Sequence, residues 1–160
     1  MAVHLTRADL VVVGSLSSDL APVAADYERR IGRYTRFAVH EVKAEPTARG
    51  EALVLAAEEA RLAAVLDRLV GPSSAGVRIV ALDSRAAAPT SEDLVEQWLG
   101  ASRLVLLIGG TMGLPPAIRA RATSAVSFGR ITMPHQLARV VATEQLYRAF
   151  RIARNEPYHF

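Results

Sequence analysis

Short apolar runs with strand character alternate with segments of helical periodicity along the whole chain, and this alternation restricts the fold more than any other feature. The apolar runs predict strands over 9–14, 36–42, 77–82, 103–108 and 125–128. The periodic segments predict helices over 20–34, 47–70, 90–99, 115–124 and 135–154. Strands that alternate with helices usually pair in parallel, because each helix carries the chain back to the starting edge of the sheet. We therefore expect an α/β fold with a mainly parallel sheet flanked by helices.

The size and composition of the chain indicate a single domain over residues 1–160. A chain of 160 residues that is 51% hydrophobic can bury one substantial core. It contains no cysteine, which excludes disulfides and thiolate metal sites. No apolar run approaches the roughly 20 residues that span a bilayer, and residues 1–9 lack the layout of a signal peptide. These features predict a cytoplasmic protein without a membrane partner.

The four histidines are too scattered along the chain to form a metal site. Metal-binding histidines usually recur at short, regular spacings, and no such spacing occurs here. We therefore expect no metal. His4 and His40 have no partner at a suggestive spacing and are interpreted as surface or packing residues.

The last third of the chain is basic, and almost all of the basic residues are arginines. Residues 101–160 carry eight arginines against two glutamates, whereas residues 1–100 carry 11 basic and 14 acidic side chains. Lys43 is the single lysine among the 19 basic residues. The planar guanidinium matches phosphate groups well, so the last third is a candidate RNA-facing surface. The alternative is a compositional bias that leaves these arginines on a solvated face.

Three predicted strands end at positions suited to a ligand, namely Leu82, Gly109–Gly110 and Phe128–Gly129. In open parallel sheets, ligands bind beyond the carboxyl ends of the strands, and glycine lets the backbone approach them closely. The segment 129–134 is mostly apolar but is interrupted by glycine and proline, which suits a pocket wall with main-chain donors and acceptors for an adenosine-type ligand. Dinucleotide and ATP motifs of the Gly-x-Gly-x-x-Gly and Gly-Lys-Ser/Thr types are absent. An ordinary turn at Gly109–Gly110 is the alternative.

The predicted helix 135–154 is apolar over an arc wider than one packing face needs. Such a helix either packs against its own sheet and a second copy of the chain, as in a homodimer, or inserts deeply into its own core. Within it, Arg148 follows Glu144 by four residues, which suits either a helical ion pair or a contact to substrate phosphate. His135, at the start of the helix, is a cap or a packing residue on this pattern alone. The apolar positions are Leu137, Val140, Val141, Ala142, Leu146, Ala149, Phe150 and Ala153.

A series of short motifs runs from residue 12 to residue 159. The motifs are Val-Val-Gly at 12–14, Tyr27 with Arg30, Leu82, Leu-Ile-Gly-Gly at 107–110, Gly113-Leu114, Met-Pro-His-Gln at 133–136, Arg-Val-Val at 139–141, Glu-Gln-Leu-Tyr-Arg-Ala at 144–149 and Pro-Tyr-His at 157–159. In this combination and order they resemble the small, single-domain SPOUT methyltransferases of the RlmH type. Each motif alone is weak evidence, but together they are highly specific, and the resemblance covers essentially the full length.

This resemblance implies S-adenosylmethionine as the methyl donor and N3 of a pseudouridine in 23S ribosomal RNA, within the assembled ribosome, as the target. It also implies a deep trefoil knot in the C-terminal half and a homodimer that builds its active sites across the interface. The residues implied for the donor pocket are Leu82, Gly109, Gly110, Phe128, Gly129, Arg130, Ile131, Thr132 and Met133. The residues implied for the substrate side are Arg148, Tyr158 and His159, with His135 nearby.

Methyl transfer to N3 requires a nucleophile aligned with the methyl–sulfur bond and a group that accepts the N3 proton. His159 is the candidate base, because histidine ordinarily titrates near neutral pH. Tyr158 would hold or stack the target base, and Arg148 would contact phosphate or stabilise the developing anion. Two other functions stay open, namely a tRNA methyltransferase of the same superfamily and a non-catalytic dimer that binds a nucleotide or RNA.

Overall fold

A parallel sheet forms the centre of the fold in the computed structural model, which describes residues 3–158. Within that range the strands are β1 (Arg7–Val13), β2 (Arg36–Val42), β3 (Val77–Leu82), β4 (Arg103–Ile108) and β5 (Ser124–Val126). Their order across the sheet is β2-β1-β4-β3-β5, and every neighbouring pair is parallel. All strand ends that the sequence predicts for a ligand therefore meet at one edge.

Helices cover both faces of the sheet, which confirms the predicted α/β fold. They are α1 (Ala21–Ile31), α2 (Glu51–Val70), α3 (Ser91–Leu99), α4 (Pro116–Arg119) and α5 (His135–Ala153). α1, α3 and α5 pack on one face around Trp98 and Phe150, whereas α2 and α4 pack on the other around Leu62 and Ile118. Within residues 3–158, no helix is long and apolar enough to cross a membrane.

The central strands are buried on both faces, which explains their continuous apolar runs. In β1, Leu10 and Val12 face the layer of α1, α3 and α5, whereas Val11 and Val13 face α2. Each of these side chains is at most 2% exposed. Burial of one such side chain contributes about 1.5–3 kcal/mol, so a strand covered on both sides favours apolar residues at every position.

The helix starts agree with the sequence prediction at α3 but differ at α1. Thr90 and Asp93 form a reciprocal capping box at the start of α3, as the run of polar residues there predicts. Ser18 and Asp19 are of the residue types that commonly cap helices, but α1 begins at Ala21 without a side-chain cap. Proline replaces the cap there, because Pro22 fixes a helical backbone in the first turn.

The predicted helix 47–70 is divided at its fourth residue. Thr47–Arg49 forms a separate 3-10 turn, and α2 starts only at Glu51. The cause is Gly50, whose φ of +90° lies outside the helical region and is readily adopted only by glycine. A glycine in this Ala/Leu/Glu-rich segment predicts fraying at that position, and the α-helix accordingly begins only after it, four residues later than the predicted start.

The predicted helix 115–124 is also shorter than expected, because it ends at Arg119. The side chain of Thr123 accepts a hydrogen bond from the Ile79 N–H at 3.0 Å and donates one to the Ile79 carbonyl at 2.9 Å. These bonds draw the chain out of the helix and against β3, where it continues as β5. A local sequence pattern does not reveal this bond between distant segments.

α5 is mostly a core helix, so the second of the two alternatives explains most of its apolar arc. Ala142, Leu146, Ala149 and Phe150 are completely buried within the same chain. Val141 and Ala153 are only partly buried, and Leu137 is exposed, with 41% of its surface accessible. The apolar width of α5 is therefore weak evidence for a second copy, and the remaining evidence lies at its amino end.

Candidate functional site

A cleft of about 840 Å³ opens at the carboxyl edge of the sheet, where the sequence predicts ligand binding. It lies beyond the ends of β3, β4 and β5 and extends to the start of α5. Eight of the nine residues predicted for a donor pocket line it: Leu82, Gly109, Gly110, Phe128, Gly129, Ile131, Thr132 and Met133. The ninth, Arg130, is exposed and lies outside the lining.

One wall of the cleft is a tight turn after β4 that leaves no room for side chains at two glycines. A Cβ on Gly109 would overlap the backbone carbon of Gly113 and lie 2.5 Å from the Leu114 nitrogen. A Cβ on Gly110 would lie 2.9 Å from the Val13 side chain. The segment is therefore the ordinary turn that the sequence analysis allowed, and it is also part of the cleft.

The opposite wall is the segment between β5 and α5, which is also shaped by glycine. Gly129 has a φ of +112°, and the Ser127 hydroxyl donates to its carbonyl at 2.7 Å. This local bond stabilises a bend that other residues would adopt only with strain. Ile131, on the same wall, is 77% exposed. A large apolar side chain with so little protein contact is suited to contact with a ligand or another chain.

Asp83 lies at the rim of the cleft, directly after Leu82, and is held by two arginines. Its carboxylate accepts the backbone N–H of Arg85 at 2.9 Å and forms an ion pair with the Arg119 guanidinium. The pKa of Asp83 is lowered to about 2, first by the Arg85 N–H and then by the Arg119 hydrogen bond, against a burial that raises it. The carboxylate is therefore ionised throughout the neutral range and fastens β3 to α4.

This low pKa predicts a stability loss in acid that depends on Asp83. Because the pKa of Asp83 in the folded protein lies below its ordinary value of 3.8, the stabilisation is complete above about pH 4 and disappears as the pH falls towards 2. A shift of this size corresponds to about 2 kcal/mol. We expect Asp83→Asn to lower the free energy of unfolding by that amount at pH 7 and to match the wild type near pH 2 in urea titrations. Identical pH profiles for the two proteins would contradict this assignment, and Asp67→Asn, at an exposed carboxylate, is the control.

The predicted substrate-side residues Arg148 and Tyr158 lie together at the other end of α5. The Arg148 guanidinium donates to Glu144 at 2.6 Å and lies 4.9 Å from the centre of the Tyr158 ring. The Tyr158 hydroxyl donates to the same Glu144 oxygen at 3.2 Å and lies 3.3 Å from the Tyr27 hydroxyl. The predicted ion pair between Glu144 and Arg148 is therefore present, and Glu144 also holds Tyr158 in the C-terminal tail that follows α5.

Tyr158 is a neutral phenol in this environment. Burial raises its pKa above the ordinary value, and the neighbouring Tyr27 hydroxyl and Glu144 carboxylate raise it further. Its ring also packs edge-on against Tyr147, with 4.8 Å between the ring centres. Tyr158 is consequently suited to stacking and hydrogen bonding rather than to accepting a proton.

Within one chain, the two groups of predicted site residues do not meet. His135 lines the cleft, whereas Arg148 and Tyr158 do not. Arg148 follows His135 by 13 positions, which corresponds to about 20 Å along an α-helix. His159 lies outside the described residues, as does Phe160. A single copy of the chain therefore presents a donor-type cleft at one end of α5 and the Arg148–Tyr158 pair at the other.

Two polar residues at the start of α5 have roles that the sequence analysis missed. Arg139 is 8% exposed and pairs with Glu41 at 2.5 Å and with Glu28 at 3.6 Å. Gln136 accepts the Ser17 N–H at 2.7 Å. Both side chains fasten α5 to segments near the carboxyl ends of β1 and β2, and thus position the adjacent cleft wall. Their partners are about 100 residues away in the chain, so spacing along the sequence gives no signal.

His40, interpreted from the sequence as a surface or packing residue, has a specific partner. Its Nε2 lies 2.8 Å from a carboxylate oxygen of Asp9, which is 1% exposed and also bonded to Arg7. One signal was available, because Asp9 is the lone acid in a buried apolar strand and such a group needs partners. None of these three residues lines the cleft, so the cluster is a separate feature of the sheet.

Comparison with known proteins groups the chain with methyltransferases. The family model described as "Predicted SPOUT methyltransferase" matches residues 6–159. The Ribosomal RNA large subunit methyltransferase H of Anaeromyxobacter sp. (strain Fw109-5) is 41% identical over 158 residues, which covers 96% of this chain and 99% of the relative. The protein of the same name from Listeria monocytogenes serotype 4a (strain HCC23) is 36% identical over 158 residues, with coverages of 94% and 97%.

Solved structures share the fold at much lower identity. A probable methylase family protein from Haemophilus influenzae Rd KW20 superposes with a TM-score of 0.57 at 13% identity, covering 96% of this chain and 70% of that chain. A probable methyltransferase from Bordetella pertussis Tohama I gives a TM-score of 0.54 at 13% identity, with coverages of 90% and 94%. Identities this low support the arrangement of strands and helices only.

Proposed function

Because the chain belongs to the SPOUT methyltransferase family, we propose that it transfers the methyl group of S-adenosylmethionine to N3 of a pseudouridine in 23S ribosomal RNA. The family match over 6–159 and the full-length relatives support an S-adenosylmethionine-dependent rRNA methyltransferase. The choice of pseudouridine N3 rests on the motif resemblance. The observation that carries the proposal is the cleft, which gathers eight predicted donor-pocket residues at one edge of the sheet. The deep trefoil knot stays a prediction of the same resemblance.

The cleft fits the methyl donor in size and in chemistry. Its volume of about 840 Å³ lies within the usual range for small-molecule sites. Phe128 and Leu114 offer apolar surface for an adenine ring, and the main chain around Gly110 and Gly129 offers polar groups for its edge. When bound, S-adenosylmethionine supplies an electrophilic methyl group on a sulfonium. Arg130 lies in the same wall segment, and we assign it a contact with the donor from its exposed position beside the cleft.

The substrate side consists of Arg148, Tyr158, His159 and His135. The raised pKa of Tyr158 keeps its hydroxyl protonated near neutral pH, which favours His159 as the acceptor of the N3 proton. Tyr158 then stacks on or holds the target base. Arg148, already charged and fixed by Glu144, contacts phosphate or the developing anion. His135 lines the cleft and contacts the donor or the target base from that side.

A homodimer would bring the two groups of site residues together. They lie about 20 Å apart along α5 in one chain, so a second copy packed antiparallel along this helix would place its tail at the cleft. The exposed apolar side chains Val23 and Leu137 lie on α1 and α5, where such a copy would cover them. In this arrangement each active site uses the cleft of one protomer and the C-terminal tail of the other. Action on ribosomes also accounts for the cytoplasmic location predicted from the sequence.

Donor binding separates this function from a non-catalytic RNA-binding dimer. We expect S-adenosylmethionine and its demethylated product to bind the purified protein at one site per chain in calorimetric titrations. An assembly factor without methyl-transfer activity would bind neither ligand. If neither ligand gave a binding heat, and thermal melting showed that the protein was folded, the proposed function would be overturned.

The choice of RNA substrate requires a second measurement. We expect methyl incorporation from labelled donor into intact ribosomes, little into deproteinised 23S RNA and none into tRNA. A compact α/β domain of this size recognises its target most readily on a large structured surface. Efficient methylation of naked RNA would contradict the ribosome as substrate, and mass mapping of modified tRNA in a deletion strain would detect the alternative tRNA activity.

A further inference from the structure

Three exposed arginines surround the turn between α1 and β2. Arg33 and Arg36 lie on either side of Tyr34 in the chain, and all three arginines are exposed. The guanidinium of Arg154, at the end of α5, lies 4.7 Å from the centre of the Tyr34 ring. We refer to Arg33, Arg36 and Arg154 as the arginine patch.

The charges of the arginine patch are not neutralised within the described part of the chain. None of its three arginines forms an ion pair with an Asp or Glu side chain within residues 3–158. The nearby carboxylate of Glu156 already accepts hydrogen bonds from Tyr34 and Arg151, both at 2.6 Å. Other arginines of the last third do pair with carboxylates: Arg119, Arg121, Arg139, Arg148 and Arg151. Three unpaired arginines therefore lie around one turn, whereas Arg103 and Arg130, the other arginines of residues 101–160 without a carboxylate partner among the described residues, lie elsewhere.

The patch is also supported by a rigid base. Tyr34 stacks on the fully buried Phe150 with 5.0 Å between the ring centres, and its hydroxyl is fixed by Glu156. Arg154 in turn lies on the Tyr34 ring. A fixed ring orders part of an arginine side chain before binding, which lowers the entropy lost when the guanidinium meets a phosphate.

We propose that the arginine patch binds the phosphate backbone of RNA, as a contact separate from the cleft. The proposal rests on the function proposed above, in which the substrate is RNA. Exposed guanidinium groups without carboxylate partners are suited to phosphate oxygens, which they bind in a bidentate manner. A purely structural role does not account for the whole patch. Arg33 and Arg154 lie near the carboxyl ends of helices, where cations are stabilising, but Arg36 begins a strand.

The salt dependence of RNA binding tests this proposal. Each phosphate contact contributes roughly 0.7–0.9 to the slope of log affinity against log salt concentration. We expect the double variant Arg33→Gln/Arg36→Gln to reduce that slope by about 1.5 and to weaken binding of a short fluorescein-labelled RNA duplex at low salt. Fluorescence anisotropy between about 50 and 200 mM salt measures both quantities. Arg68→Gln, at an exposed arginine at the end of α2 on the other face of the sheet, is the matched control and should leave the slope unchanged.

Other results would overturn the proposal. An unchanged slope in the double variant would show that these arginines do not contact phosphate, and an equal reduction in Arg68→Gln would show that the effect is not local. A loss of binding to fluorescein-labelled polyglutamate, with RNA binding intact, would indicate an acidic protein as the partner. Calorimetry with S-adenosylmethionine on the same variant keeps this test separate from the proposed function. The double variant should bind S-adenosylmethionine normally even though the salt dependence of its RNA binding is reduced. If the wild type itself did not bind S-adenosylmethionine, that result would count against the proposed methyl transfer and not against the arginine patch.

Discussion

Gly109→Ala is expected to weaken binding of S-adenosylmethionine by roughly 100-fold. An added Cβ would overlap the backbone of Gly113 and lie 2.5 Å from the Leu114 nitrogen, so backbone rather than a flexible side chain has to move. The turn from Gly110 to Gly113 would shift by about 1 Å or more, and a displacement of that size typically costs on the order of 100-fold at a preorganised site. Calorimetric titration of the variant with the donor measures the effect.

A second glycine on the surface provides the control for backbone strain. Gly71 has a φ of +66°, and a Cβ built there meets no atom within 4 Å. Gly71→Ala should therefore lower the free energy of unfolding by about 1–3 kcal/mol, through backbone strain alone, and leave donor affinity unchanged. Gly109 differs because its φ is not in the left-handed region, so only the close approach of the turn requires glycine there. Normal donor affinity in folded Gly109→Ala would show that this turn is not part of the donor site.

The cleft could be predicted from the sequence because strand ends are a local signal. Leu82, Gly109 and Phe128 each end an apolar run, and parallel pairing brings the ends of such runs to one edge whatever the exact order of strands. The order β2-β1-β4-β3-β5 itself was not predicted, because pairing partners depend on packing between distant segments. The bond between Thr123 and Ile79, which shortens α4 and starts β5, is one such case.

The polar supports of the site could not be predicted for the same reason. Arg139 belongs to one of the motifs, but nothing in the sequence shows that it is buried against Glu41 on a different element. The charge pattern likewise gives no information about pairing. Five arginines of residues 101–160 form ion pairs in the fold, and the arginine patch includes Arg33 and Arg36 from the net-acidic part of the chain. Net charge along a sequence does not show which charges cancel in the fold.

Mixing two inactive variants is expected to restore activity if each active site uses two protomers. Gly109→Ala removes the cleft, and Arg148→Ala removes the charged group beside Tyr158 and should lower turnover by at least about 100-fold. In an equal mixture that exchanges subunits freely, about half of the dimers carry one copy of each variant. Each mixed dimer has one site that combines the intact cleft of the Arg148→Ala protomer with the intact tail of the Gly109→Ala protomer. We therefore expect roughly a quarter of the wild-type rate of ribosome methylation.

The same mixture separates shared sites from sites confined to one chain. If the Arg148–Tyr158 pair served the cleft of its own protomer, every mixed dimer would hold two defective sites, and mixing would restore nothing. The distance of about 20 Å along α5 between His135 and Arg148 makes that geometry unsuitable without a large rearrangement of the helix. A mixture of Gly109→Ala with Gly129→Val, which alters the same cleft on its other wall, is the matched control. This control mixture should stay inactive, because every site in its mixed dimers contains a damaged cleft. Activity in the first mixture but not in the control would assign Arg148 to the active site of the neighbouring protomer.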